Sequence, residues 1–229
     1  MAKNKALNDA FNAGKEASAS KNWQGAVDAF EKAAQVDPSQ NVIWANLADS
    51  YINLAGTKTG ADQQAAMEKG LDAYKKAIEL KPDDPGFHNN YGLALARDKK
   101  FPEAQVELSK AAQIDPPNAG KYYFNLGALL VNSGHNEEAV EAFKKAIDAN
   151  PNYAPAQYQY GVSLVSKATT TADGKVVPPP GTIEAFQKYL ELEPNGPNAE
   201  QAKAMLTTLT GSVATTYENP NAPKKKKKN

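Results

Sequence analysis

Cysteine is absent from all 229 residues, so disulfides and thiolate metal sites are excluded. Histidine occurs twice: His88 falls where a helix packs within its own pair, and His135 falls in a turn. Neither has a second histidine at ligand spacing, so no zinc site is expected. No apolar run approaches the roughly 20 residues of a membrane helix. No signal peptide is visible, because Met1 leads directly into polar, alanine-rich sequence. The compartment stays open: the chain is expected to be soluble, cytoplasmic or an exported piece of a longer one. Gly-x-Ser-x-Gly, Walker-type and Gly-x-Gly-x-x-Gly phrases are all missing. The carboxylate pair Glu137-Glu138 lies at a helix start, where it favours the helix dipole. Catalysis is therefore not expected, and neither is a cofactor.

Charge of one sign is scarce as well. The formal net charge is zero, but Lys224 to Lys228 supply five positive charges, so the rest of the chain is net negative by five. Arg97 is the only arginine. A mildly acidic body lacks the basic face that a nucleic-acid partner needs.

What the sequence does have is a phrase that returns. Prolines recur at Pro38, Pro82, Pro117, Pro151 and Pro194, with gaps of 44, 35, 34 and 43. Large residues recur at Phe30, Tyr74, Leu108, Phe143 and Phe186, with gaps of 44, 34, 35 and 43. Both markers give a basic period of 34, with two insertions and one extra residue near Pro116-Pro117. Small residues hold fixed places: Gly14, Ala48, Gly92, Gly127 and Gly161 at one; Ala26, Gly70, Ala104, Ala139 and Thr182 at another. Ala33, Ala77, Ala111 and Ala146 hold a third, where the last unit has Tyr189. Two helices approach to roughly 8 Å only where side chains are short. Trp44, Leu47 and Tyr51 share one helical face. Each unit therefore reads as helix A, turn, helix B, turn. Asp62, Thr182 and Asn198 are placed to cap helices, and the prolines stop the B helices.

These residues carry a resemblance. "WANLADSY" with Trp44, Leu47 and Tyr51, "YFNLGALL" with Leu126-Gly127, and "EEAVEAFKKAIDANP" with Ala139, Phe143, Ala146 and Pro151 resemble the tetratricopeptide repeat (TPR) family. Five units are expected over 7–40, 41–84, 85–118, 120–153 and 154–196, after a lead-in over 1–6. The resemblance implies an all-α fold, a right-handed superhelical solenoid of five helix-turn-helix units with a C-terminal capping helix. Departures are Ala10, Ala13 and Ala17 in the first unit and Gln157, where an aromatic is usual, in the fifth.

The second unit carries ten extra residues around "AGTKTGADQQ", where Gly56 and Gly60 break helix A and Asp62 starts a lengthened helix B ending at Leu80. The fifth carries nine in "SKATTTADGKVVPPPGT", where Asp173-Gly174 signals a two-residue hairpin turn. Each insertion reads either as a tolerated loop or as a recognition element. Residues 197–210 are expected to form the capping helix, with Ala202, Met205, Leu206 and Leu209 as its apolar face. Residues 211–229 read as a disordered lysine-rich tail. That tail is either a solvated end or a contact for an acidic or anionic-lipid surface, the only membrane contact the sequence offers.

Two residues before each small residue of helix A stand Asn12, Asn46, Asn90, Asn125 and Gln159. The family resemblance implies that this position faces a concave groove. An amide there can pair with a peptide C=O and N–H together. With A helices roughly 10 Å apart and a peptide rising about 3.3 Å per residue, one amide serves about every third ligand residue. Phe11, Phe124 and Tyr158 precede three of these amides, and Asn53, Arg97, Asn132 and Ser166 lie seven residues further along helix A, with Lys121 near the fourth unit. The carboxylate grip of some TPR co-chaperones is not carried over, because Gly86 and Asn90 stand where Lys and Arg belong. The reading is a non-enzymatic scaffold binding an unknown protein or peptide, with a monomer favoured. Self-assembly through the fifth unit (Tyr153, Tyr158, Tyr160) and tethering through the tail are the alternatives.

Overall fold

Proline cannot continue a helix and biases the residue before it away from the helical conformation. Five helices end in that way. Asp37, Lys81, Asp115, Asn150 and Glu193 each cap a helix and each precede a proline, with φ between −147° and −126° and ψ between 70° and 91°. The computed structural model describes residues 2–172, 174 and 176–211. It divides between Asn118 and Ala119 into two compact units.

The first unit holds three helical hairpins: α1 (Ala2–Ala19) with α2 (Trp23–Val36), α3 (Asn41–Ala55) with α4 (Gly60–Leu80), and α5 (Pro85–Arg97) with α6 (Phe101–Ile114). Successive hairpins pack through α2 on α3 and α4 on α5. The second unit holds α7 (Ala119–Asn132) with α8 (Asn136–Ala149), and α9 (Ala154–Val165) with α10 (Thr182–Leu192). There α8 packs on α9, and α10 packs on the last helix, α11 (Ala199–Thr210). Within the lead-in expected over 1–6, α1 is already helical from Ala2, because the Ala- and Lys-rich opening has high helix propensity. The extra residue before the fourth hairpin lies in a 3₁₀ turn, Pro116–Asn118.

Inside four of the hairpins a large B-helix side chain fills the space left by a small A-helix residue, and in α3–α4 Gly70 of the B helix makes room for Ile52 of the A helix. A Cβ added at Gly127 would stand 2.6 Å from the Phe143 ring, one at Gly14 would stand 2.6 Å from Phe30, and one at Gly92 would stand 2.8 Å from Leu108. Phe30, Phe143, Phe186 and Leu108 are fully buried as a result.

The A-to-B turn repeats too. Lys21, Lys99 and Gly134 all have positive φ, at 58°, 61° and 82°. The next residue's N–H closes the turn back onto the helix: Asn22 to the Ala17 carbonyl, Lys100 to Leu95 and His135 to Leu130, at 2.8 to 2.9 Å. This is the left-handed helix stop that glycine favours, and lysine adopts it at a steric cost. Lys99→Gly is therefore expected to raise stability by about 0.5–1 kcal/mol, seen as a higher urea midpoint. A lowered midpoint would mean that the extra freedom of glycine in the unfolded chain outweighs the relief.

The position that carries tryptophan in the second hairpin does one job with three chemistries. Trp44 Nε1 donates to the Pro38 carbonyl at 2.8 Å, and Gln157 Nε2 donates to the Pro151 carbonyl at 2.9 Å. His88 Nε2 stands 2.9 Å from the Pro82 carbonyl. Gln157 is thus no defect: it supplies the same donor to the same turn. Tyr189, which replaces the usual alanine, accepts the Asn198 N–H at 3.0 Å on its hydroxyl and so ties the start of α11 to α10.

Several local expectations are corrected. Helix α4 starts at Gly60, with Asp62 in its first turn rather than at its cap. Thr182 is the first residue of α10; Gly181 precedes it with φ 90°, and the Thr182 hydroxyl donates to the Pro179 carbonyl. Asn198 occupies the cap position of α11 without a side-chain cap bond. Side-chain caps form instead at Asn22, which accepts the Gly25 N–H, and at Asp84, which accepts the Gly86 and Phe87 N–H groups. On α11 the buried face is Ala199, Ala202, Leu206 and Leu209, whereas Met205 is 36% exposed. It stands about 100° round the helix from Leu206, at the edge of that face.

The hairpin in the fifth insertion pairs β1 (Thr169–Thr170) with β2 (Val176–Val177), Thr169 opposite Val177 and Thr170 opposite Val176. This register leaves residues 171–175 as the connection, longer than the two-residue turn expected. Asp173 and Lys175 lie outside the described residues, as does the tail from 212 onward. Val176 packs against the core formed by Tyr189, Leu206 and Leu209, so the insertion braces the cap helix.

Candidate functional site

The amide position lies on the A helix of each hairpin, and none of its five residues joins the buried core. Asn12 and Asn90 are exposed; Asn46, Asn125 and Gln159 are half-buried. Two amides about two turns apart on α3 bend back along their own helix. Asn46 Nδ2 donates to the Val42 carbonyl at 2.7 Å, and Asn53 Nδ2 donates to the Asp49 carbonyl at 2.8 Å. Each keeps a second N–H and its oxygen for other partners.

Phe11, Phe124 and Tyr158 are only half-buried, but each is committed inward. Phe11 meets Phe30 edge-on at 5.6 Å between centroids. Phe124 lies 5.8 Å from Phe143 and 5.3 Å from Tyr153, and Tyr158 lies 6.0 Å from Phe186 and 5.3 Å from Tyr189. Such pairs contribute about 0.5–1.5 kcal/mol beyond their buried area, so these rings stiffen the hairpins and offer a ligand only their free edges. Tyr153 and Tyr158, expected to meet another copy, are likewise engaged within their own unit. Tyr160 lies beside Gly181. Lys121, Asn132 and Ser166 are exposed on the second unit.

In the first unit α3, α4 and α5 enclose a cleft. It brings together three sequence-predicted residues, Asn53, Asn90 and Arg97, with two that sequence reasoning missed, Asp49 and Tyr74. Tyr74 is buried, and its hydroxyl donates to Asp49 Oδ1. Ile52 and Leu93 add apolar surface. Asp49 is exposed as a residue, but neighbouring protein partly desolvates its carboxyl. Desolvation therefore holds its pKa above the ordinary carboxylate value, although the Tyr74 hydrogen bond and the Arg97 charge pull it down. The Tyr74 hydroxyl is pushed up, first by burial and then by the Asp49 charge. Asn90 accepts the Asn89 amide at 2.9 Å on Oδ1. Arg97 is exposed and forms no ion pair among the described residues. The missed signal was an aspartate three residues after Asn46 combined with tyrosine, rather than phenylalanine or leucine, midway along helix B.

A second groove runs on the side where α2 and α4 flank α3. Trp44, Leu47 and Tyr51 line it, with Glu31, Lys69 and Asp72 on the flanking helices. The Tyr51 hydroxyl donates to Glu31, and Lys69 Nζ sits 5.5 Å above the Tyr51 ring. These polar groups are thus already partnered.

A family model described as tetratricopeptide repeat matches residues 120–153, the α7–α8 hairpin, and another matches residues 73–106. The chain contains tetratricopeptide repeats. The small glutamine-rich tetratricopeptide repeat-containing protein 2 of Mycosarcoma maydis is 38% identical over 82 residues, 36% of this chain and 23% of that protein. The peroxisomal targeting signal receptor of Candida albicans is 25% identical over 172 residues, 61% of this chain and 29% of that one. The protein O-mannosyl-transferase TMTC3 of Mus musculus is 25% identical over 187 residues, 76% of this chain and 18% of that one. The chain thus spans between 18% and 29% of the length of these relatives. Among solved structures, MamA gives a TM-score of 0.62 at 18% identity, covering 86% of this chain and 96% of MamA. YrrB, described as a TPR protein with an unusual peptide-binding site, gives 0.57 at 19% identity, covering 89% of this chain and 98% of YrrB. At such identities the likeness shows the fold: the TPR chain belongs to the all-α solenoid class. TPR hairpins are protein- or peptide-interaction elements, and no helix of the described residues is long and apolar enough to cross a membrane.

Proposed function

We propose that this TPR chain is a non-catalytic scaffold that binds an extended protein segment on the open face of its A helices. The observation that carries the reading is the amide position: Asn12, Asn46, Asn90, Asn125 and Gln159 stand at equivalent places on five A helices and stay outside the core in every hairpin. The peroxisomal targeting signal receptor and the peptide-binding YrrB among the similar proteins support it. In the first unit the amides of α3 and α5 serve the ligand backbone; in the second, Asn125 and Gln159 do so beside the free edges of Phe124 and Tyr158. Each hydrogen bond contributes about 0.5–1.5 kcal/mol net, so main-chain pairing alone gives modest affinity and little sequence choice.

The test is a triple replacement, Asn46, Asn90 and Asn125 by Ala. The thermal midpoint is expected to move little, because these side chains are not in the core and alanine favours the helix. Capture of peptides from a displayed random library is expected to fall by about tenfold or more. Undiminished capture by the folded variant would remove the amide position from the binding face.

A further inference from the structure

The cleft between α3 and α5 holds a carboxyl and a guanidinium that do not satisfy each other. Tyr74 donates to Asp49 Oδ1, and no donor among the described residues reaches Oδ2. Arg97 lines the same cleft and lowers the proton affinity of Asp49 through space, yet forms no ion pair with it. Resting on the reading that the A-helix face binds an extended peptide, we propose that this cleft is a dipolar subsite for a neutral carboxamide, the side chain of a ligand glutamine or asparagine.

The reason is charge balance within one cleft. A ligand carboxylate would gain from Arg97 but meet the Asp49 charge, and a ligand ammonium would gain from Asp49 but meet Arg97. A carboxamide carries two N–H donors and a carbonyl acceptor on one rigid plane. Its N–H group serves Asp49 Oδ2 while its oxygen accepts from Arg97, and both bonds involve a charged partner, the stronger kind. The methylenes of the ligand side chain lie against Ile52 and Leu93. Tyr74 holds the Asp49 carboxyl in place from below. A cleft arranged in this way rejects apolar isosteres, because both charged groups would then lose water without a replacement. The selectivity comes from Asp49 and Arg97, one from each of two neighbouring A helices, and supplies the sequence choice that the main-chain amides do not.

The experiment is a titration of the ¹⁵N-labelled full chain, followed by amide shifts. The probes are four peptides, acetyl-Ala-Ala-X-Ala-Ala-N-methylamide with X as Gln, Glu, Lys or Leu, so that neither end carries a charge or a primary amide. The Gln peptide is expected to shift residues 49–53 and 90–97 and to bind about fivefold or more tightly than the other three. Arg97→Ala is expected to turn the preference toward Lys, and Asp49→Ala toward Glu, each with native-like spectra elsewhere. Equal binding of all four peptides on the A helices, or a wild-type preference for Glu, Lys or Leu, would overturn the carboxamide subsite while leaving peptide binding intact. Shifts absent from every A helix with all four peptides would overturn both readings.

Discussion

Phe143→Ala is expected to cost the second unit about 3–5 kcal/mol, the upper range for large-to-small core changes. Phe143 has no solvent exposure, and its ring sits directly over Gly127. A cavity costs more when its walls cannot collapse. Here one wall is the backbone of α7 at a glycine, which has no side chain to swing inward. The other neighbour is Phe124, 5.8 Å away between centroids and already held by Tyr153. Far-UV circular dichroism through a urea titration reads the loss. Trp23 and Trp44, the chain's two tryptophans, both lie in the first unit, so their fluorescence reports that unit separately. Val106→Ala is the matched control: Val106 is 63% exposed, and its truncation should stay within about 0.5 kcal/mol. A Phe143→Ala loss no larger than that of the control would mean that the ring does not fill the hairpin as described.

His88→Ala is expected to cost about 3 kcal/mol, and His88→Gln only about 1–2 kcal/mol. The imidazole has no exposure and is bonded at both ends. Nε2 lies 2.9 Å from the Pro82 carbonyl, and Nδ1 lies 2.5 Å from Glu107 Oε2 on α6. A carbonyl accepts only, so Nε2 is the donor to the turn, while Nδ1 faces the Glu107 carboxyl. Alanine removes the ring volume and leaves a buried carbonyl and a carboxylate without their partner. Glutamine loses the Glu107 contact but keeps the carbonyl bond, as Gln157 does with Pro151. Tryptophan fluorescence during urea unfolding measures both variants. Equal losses for the two would show that ring volume, not the bond to the turn, is what this position supplies.

The repeat itself was legible because it is written in local chemistry. A proline stops a helix wherever it stands, and the five residues before Pro38, Pro82, Pro116, Pro151 and Pro194 leave the helical conformation for that reason. The small-against-large pairing of Gly127 with Phe143 was readable from spacing, since the separation is 16 residues in each of the three units without an insertion. The register of the β1–β2 hairpin was not readable: Asp173-Gly174 signals a turn, but Val176 is drawn onto the α10–α11 core, and that packing selects a pairing one residue away from the expected one.

The candidate site divides in the same manner. That an amide stands on every A helix followed from the period. That Asn46 and Asn53 turn back onto their own helix, and that Phe11, Phe124 and Tyr158 bind inward to B-helix rings, did not follow, because side-chain rotamers answer to neighbours distant in sequence. The sequence by itself determined the helices, their ends and the repeating order of small and large residues, since each of these depends on residues within one or two turns. Only the tertiary structure decided that Asp49, Tyr74 and Arg97 share a cleft and that the His88 ring meets Glu107 on α6. Those meetings depend on the distance between packed helices, which no single helix encodes.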